Sequence, residues 1–260
     1  MAKKSIKTTA SQISLFDDES SLPISTVHQS RLQMYQPTKK PKDIKQVIET
    51  AWGSAVVEGR IGQVHAGLME AIFKHTIDKR AEPNGSLTVL VDPYQVRTTT
   101  YGGSQGSHEQ IWVMLKDLMK CVIEFNIPGK SRKDLGHILE HVTESSMTRE
   151  NPLTGEARKM WRITIAAGYL EWVGRDLALF YDPEPIARLE TGIAQAVVRH
   201  LEGHKRQPPG GWHVDGLISA VGAGKTSQNM RDSRRYLLKD QEALKSLGYV
   251  IEDGRVKKNR

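Results

Sequence analysis

The sequence predicts an α+β protein: two tandem winged helix-turn-helix domains preceded by a disordered N-terminal arm. Three observations predict it. The order helix, short strand, short helix, turn, long helix, β-hairpin occurs twice, over about 60–174 and again over 184–258. The helical stretches carry apolar residues at three- and four-residue steps, whereas the hairpins alternate and are rich in β-branched and aromatic residues. The first 43 residues are rich in Ser, Thr, Lys, Gln and Pro and have no sustained period. The expected division is an arm over 1–43, a first domain over 44–182 and a second over 183–260. No close sequence repeat joins the two halves, so only the order of elements recurs.

The arm closes with "QPTKKPKD" (36–43), where prolines disfavour helix and lysines keep the segment solvated. Folded structure is expected from "DIKQVIETAW" (43–52). A helix is expected over 60–79, because Ile61, Val64, Leu68, Ile72 and Phe73 share one face. "PNG" is a turn signal, and "SLTVLVD" (86–92) reads as a short strand. "PYQVRTTTYGGSQGS" (93–107) opens as a short helix and decays into a turn. A long helix follows over 107–125, with Ile111, Leu115, Leu118 and Val122 inward. Ser107 is its N-cap, and Gln110 completes a capping-box pattern. Residues 136–149 and 157–174 alternate around "NPLTGE" and predict a long hairpin. "LALFYD" (177–182) is a further strand candidate.

The second half is cleaner. Ile186, Leu189, Ile193, Val197 and Leu201 place a helix over 184–204, and "QPPGG" ends it. "WHV" is a short strand, 215–222 a short helix, 223–227 a turn and 227–248 a long helix. "YVIEDGRVKK" (249–258) is a hairpin with Asp253-Gly254 at its tip, a pair suited to a type I′ turn.

Composition narrows the function. The chain has 260 residues, with 37 Lys+Arg against 30 Asp+Glu, giving a net charge of +7 and a pI near 9.4. That field favours polyanions such as nucleic acid or an anionic membrane surface. The single cysteine, Cys121, excludes an intrachain disulfide and a Cys-rich zinc site. Its setting, "LMKCVIEF", reads as a buried apolar position. No apolar run approaches the ~18–20 residues of a membrane helix, and "MAKKSIKTTAS" lacks the apolar core of a secretory signal. A soluble, cytoplasmic protein is expected.

The long helix of the second half carries the sharpest functional signal. With Leu237 inward, Gln228, Arg231, Arg235 and Lys239 fall on the far side at about 100° per residue. Ten Lys/Arg lie between 225 and 260, opposed by five acids. A recognition helix needs Arg, Gln and Asn toward base edges, since these match guanine and adenine bidentately. The preceding turn and helix start add Lys225, Thr226 and Ser227. A basic wing, "GRVKKNR", supplies Arg255, Lys257 and Lys258 for phosphates. In the first unit, Thr98, Thr99, Thr100, Tyr101, Gln105, Ser107 and Gln110 are the contact candidates. That unit either touches DNA through them or serves dimerisation or packing, because fold order alone assigns no groove.

Three chemical lookalikes fall short. "SAVGAGKT" (219–226) resembles a phosphate-binding loop, but Ser219 replaces its first glycine and the preceding segment reads as a helix. "HILEH" (137–141) matches an inverted zinc-protease pattern, but on alternating sequence and without an evident third ligand. His200 and His204 stand four apart without a carboxylate partner pattern. No catalytic constellation stands out, so no enzyme, cofactor or metal is expected.

The tandem order and basic hairpin resemble plasmid replication initiator (Rep) proteins, nearest the broad-host-range TrfA/RepA/RepC kind. "LFYDPEPIARLETGIAQAVVRHLEGH" and "HVDGLISAVGAGKTSQNMRDSRRYLLKDQEALKSLGYVIE" carry most of the likeness, which spans about 60–258. The resemblance implies binding to direct repeats (iterons) in double-stranded origin DNA, followed by engagement of the host initiator and replicative helicase. It also implies a shift between monomer and homodimer. By resemblance, Gln228, Asn229, Arg231, Arg234, Arg235 and Lys239 would contact bases and phosphates. In the arm, Gln12, Ile13, Ser14, Leu15 and Phe16 resemble the bacterial sliding-clamp-binding peptide. Leu15 and Phe16 would be anchors for an apolar pocket, and Gln12 an orienting hydrogen bonder. Two alternatives stay open: a dimeric transcriptional repressor reading inverted half-sites, and an ATP-driven clamp regulator.

Overall fold

The computed structural model describes residues 22–31, 33–50, 53–104, 106–126, 134–150, 155–174 and 177–259. The chain begins with β1 (Ser25–Thr26), α1 (Val27–Arg31), β2 (Ile44–Thr50), β3 (Gly53–Gly59) and α2 (Gln63–Lys74). Then come β4 (Thr76–Ala81), β5 (Leu87–Val91), α3 (Pro93–Thr100), α4 (His108–Lys120), β6 (Val122–Asn126) and β7 (Asp134–Gly136). β8 (Leu139–Glu150), β9 (Ala157–Ile165), α5 (Ala167–Val173), β10 (Ala178–Leu179), α6 (Pro183–Arg188) and α7 (Gly192–Glu202) follow. The last elements are β11 (Trp212–His213), α8 (Val214–Ala220), α9 (Ser227–Lys239), α10 (Gln241–Ser246), β12 (Tyr249–Glu252) and β13 (Arg255–Lys258). Mixed helix and strand agree with the α+β class.

The sheets are antiparallel throughout. Two have four strands, in the orders β2-β3-β6-β7 and β4-β5-β9-β8; β11-β13-β12 has three, and β1-β10 has two. Alternation then decides which face is buried. Val89 and Val91 of β5 point the same way as their partners Ile163 and Trp161 of β9, and all four are buried.

Two apolar cores result. The first surrounds α2, whose Leu68, Met69, Ala71 and Ile72 are fully buried. The second is built from Ile193, Val197 and Leu201 of α7, Leu217 and Ile218 of α8, and Leu237, Leu244, Tyr249 and Val256. Polar side chains join the cores. Arg199 of α7 reaches Glu70 and Gln63 of α2, and Tyr181 donates to Glu70.

Several elements differ from the sequence expectation. The arm does not extend to residue 43: Leu22, Ile24, Val27, Met34 and Tyr35 are buried, and β1 pairs with β10. These apolar residues are spaced irregularly among polar ones, so no period marks them. The helix expected over 60–79 ends at Lys74, because Thr76–Ala81 pairs with β5 instead. The helix expected over 107–125 ends at Lys120; Cys121 turns extended, and Val122 and Ile123 join β3. Residues Ala167–Val173, expected as strand, are helical. The first unit therefore holds more than the expected order, since β2, β3, β6 and β7 add a second sheet.

One residue breaks two of the expected helices in the second half. Asp240 is buried, and its carboxylate accepts from the Glu190 and Thr191 N–H groups and the Thr191 hydroxyl at 2.6–2.9 Å. Helix 184–204 is thereby split into α6 and α7, and 227–248 into α9 and α10. The clamp-like peptide at 12–16 and Gln105 lie outside the described residues.

Candidate nucleic-acid interface

α8 and α9 are joined by a turn in which Gly222 and Gly224 have φ of 81° and 75°. That left-handed region disfavours residues with a Cβ, which explains the glycines of "VGAGKT". The segment joins two helices, so the strand-to-helix turn of a phosphate-binding loop is absent here. Thr226 caps α9, its hydroxyl accepting from the Asn229 N–H at 3.1 Å. The Thr226 side chain thus holds the helix start rather than standing free.

α9 is thirteen residues long and buries only Leu237, with Met230 packed partly against the second core. Lys225, Thr226, Ser227, Gln228, Asn229, Arg231, Arg234, Arg235 and Lys239 are all exposed. An open depression at the helix start is lined by Lys225, Ser227, Arg231 and Arg234.

The cations differ in how far they are already engaged. Arg234 forms a bidentate pair with Asp215 of α8; Asp215 raises the Arg234 pKa, and Arg234 holds the Asp215 carboxyl below its usual range. Arg235 meets Asp232 at 3.1 Å and lies over the Tyr236 ring. Lys239 meets Glu190 at 3.9 Å and flanks the same ring. Among the described residues Arg231 donates only to Gln228, at 2.9 Å, and Gln228 in turn donates to Asp232. Among the described residues Arg231 and Lys225 have no ion pair. Exposed pairs such as these contribute ~0–1 kcal/mol, so a phosphate can displace them.

The β12–β13 hairpin turns at Asp253-Gly254, as expected. Arg255 donates to the Gly211 carbonyl at 3.2 Å and has no ion pair among the described residues. Lys257 pairs with Glu252 at 3.0 Å. Lys258 follows buried Val256 by two residues and so shares its inward face; it meets Glu202 of α7 at 3.2 Å and covers the Tyr249 ring. Its role here is to hold the hairpin on α7.

The first-unit candidates are also engaged. Thr98 and Thr100 donate to the Tyr94 and Val96 carbonyls, and the Thr99 hydroxyl meets His75 at 2.7 Å. Ser107 caps α4 through the Glu109 N–H. Gln110 accepts from the Tyr101 hydroxyl at 2.9 Å and does not close a capping box.

His137 faces the Cys121 carbonyl at 3.1 Å, just before β8, while His141 lies on the exposed side of that strand. Among the described residues no group of three or more His, Cys, Asp or Glu side chains is placed to hold a metal. His200 and His204 do come together, with Nε2 atoms 3.1 Å apart. No described helix is long and apolar enough to cross a membrane. Sequence reasoning missed Asp215, Glu190 and Tyr236 as neighbours of the basic helix. Only Tyr236 carries a local signal, an aromatic between Arg235 and Lys239.

No family model matches this chain, and no curated protein or solved structure shows significant similarity to it.

Proposed function

We propose that this chain is a plasmid DNA replication initiator that binds repeated duplex sequences at an origin and has no catalytic step of its own. In this reading α7 to β13 is a winged helix-turn-helix. α9 enters the major groove, and the β12–β13 hairpin lies on the phosphates. The carrying observation is α9 itself: one buried side chain in thirteen residues, with Gln, Asn and Arg side chains in solvent along its first two turns. A helix serving only the second core has no need of so narrow an apolar face. Lys225, Arg231 and Arg255 bring charge that no carboxylate within the described residues neutralises.

The rest follows from the resemblance of the sequence to Rep proteins. Gln12, Ile13, Ser14, Leu15 and Phe16 would engage the sliding clamp, and host initiator and helicase would be recruited to the opened origin.

The test is binding-site selection from random duplex DNA at ~150 mM salt, where sequence-independent phosphate attraction is suppressed. Enrichment of a non-palindromic unit that recurs as a direct repeat is expected. An inverted repeat would replace the initiator by a dimeric repressor, and no enrichment would remove DNA reading altogether.

A further inference from the structure

A cleft of about 450 Å³ opens between α2, α6 and α7, beside the loop that follows α3. This lies within the ~300–1,000 Å³ of small-molecule sites. α2 and that loop belong to the first core, α6 and α7 to the second.

Gln195 lines the cleft and is 2% exposed. Its Nε2 donates to the Ala187 and Leu189 carbonyls at 3.1 and 3.3 Å, which fixes the orientation of the amide. Its Oε1 is buried and accepts no hydrogen bond among the described residues. Such an orphaned acceptor is uncommon in folded proteins.

Lys39 borders the same cleft, half-buried, with no hydrogen bond or ion pair from its ammonium among the described residues. Burial lowers its pKa, while Asp240 and Glu190 pull it back up. Neither carboxylate pairs with it. Asp240 is engaged by the Glu190 and Thr191 donors, and Glu190 faces Lys239. Two further cations line the cleft: Arg188 at the rim, bonded to the Gly102 carbonyl and Glu184, and Arg199, which is committed to Glu70. Among the described residues no carboxylate lines the cleft.

We propose that this cleft binds a small phosphorylated molecule carrying a hydroxyl or amino group. The phosphate meets Lys39, with Arg188 beside it, and the hydroxyl or amine donates to Gln195 Oε1. A bare anion serves Lys39 and leaves Gln195 unpaired; a neutral polyol does the reverse. Because both cores supply walls, a bound ligand ties them together and raises the melting temperature. The site does not depend on α9 reading DNA.

Full-length protein is titrated calorimetrically with ribose 5-phosphate, ribose and inorganic phosphate. Saturable binding of ribose 5-phosphate is expected, at least tenfold tighter than either fragment and with a raised melting temperature. Lys39→Gln should weaken it at least tenfold, while Lys45→Gln, a surface lysine on β2, should leave it unchanged. Mass spectrometry gives a second measurement on wild type that needs no variant: ribose 5-phosphate should protect Lys39 from acetylation. No saturable binding, equal binding of phosphate alone, or Lys39 unprotected would each overturn the proposal.

Discussion

Arg199 of α7 holds Glu70 of α2 through two hydrogen bonds, Nε at 2.7 Å and Nη2 at 2.8 Å, with both side chains buried. The pair crosses from one apolar core to the other. Burial lowers the Arg199 pKa, but Glu70, with Tyr181 and Tyr35 adding to it, makes the net shift upward.

Removing one partner strands the other charge. Arg199→Met is expected to destabilise the protein by ~3–5 kcal/mol, the usual cost of an uncompensated buried charge. Arg199→Met/Glu70→Met should recover much of that loss. Urea unfolding of the two variants checks it, and a loss below ~1 kcal/mol in the single variant would show that Glu70 is not held by this pair.

If α9 reads DNA as proposed, Arg231 and Lys258 should differ in their effect on it. Arg231→Ala should weaken binding to the selected DNA site by ~1–3 kcal/mol and relax preference at one base position. Lys258→Ala should leave that preference intact, since its ammonium is committed to Glu202. Competition binding with single-base variants of the site distinguishes them; unchanged affinity in Arg231→Ala removes it as a base reader.

The peptide at 12–16 has its own test. Leu15→Ala/Phe16→Ala should abolish binding to purified sliding clamp, because a few buried anchors dominate interfaces of this kind. DNA binding by the same variant should stay at the wild-type level. Clamp affinity equal to wild type would sink the assignment.

Acid should loosen the start of α2. His65 is buried; its Nδ1 accepts from the Gly62 N–H at 3.2 Å and its Nε2 faces Asp117 at 3.4 Å. Burial lowers its pKa, with Asp117 opposing and Arg60 assisting. The unfolded chain therefore binds more protons below ~6.5, and stability falls as pH drops from there through the lower folded pKa. His75, also lowered by burial, adds to the same window. Urea midpoints from pH 8 to 5 should decline in wild type and less steeply in His65→Gln. An identical slope would place the acid sensitivity elsewhere.

Cys121 should be inert in the folded protein. It is buried, and burial pushes its thiol up to about 12, with Asp43 assisting. The thiolate is the reactive form. Labelling with a thiol reagent at pH 8 should proceed only under denaturing conditions; fast labelling of the native protein would contradict this burial.

The sequence by itself determined what local periodicity determines. Apolar steps of three and four residues located α2, α4 and α7, and Leu237 marked the inward face of α9, where it is the one fully buried side chain. β-branched alternation located β5, β8 and β9, and Asp253-Gly254 marked the last turn. The exposed basic face of α9 was legible for the same reason, because one buried residue fixes where the other side chains point. Tertiary structure decided where elements end and which charges are already engaged. β4 exists because Leu87–Val91 offers it a partner, not because "TIDKRA" excludes helix. Asp240 breaks two helices through donors some fifty residues earlier, and Leu22 and Met34 leave the arm for a core built largely from later residues. Arg234 and Lys258 were set apart from Arg231 by Asp215 and Glu202, which nothing in the local sequence identifies as their partners. Each of these outcomes rests on a contact between distant parts of the chain, whose free energy exceeds the small local preferences that periodicity records.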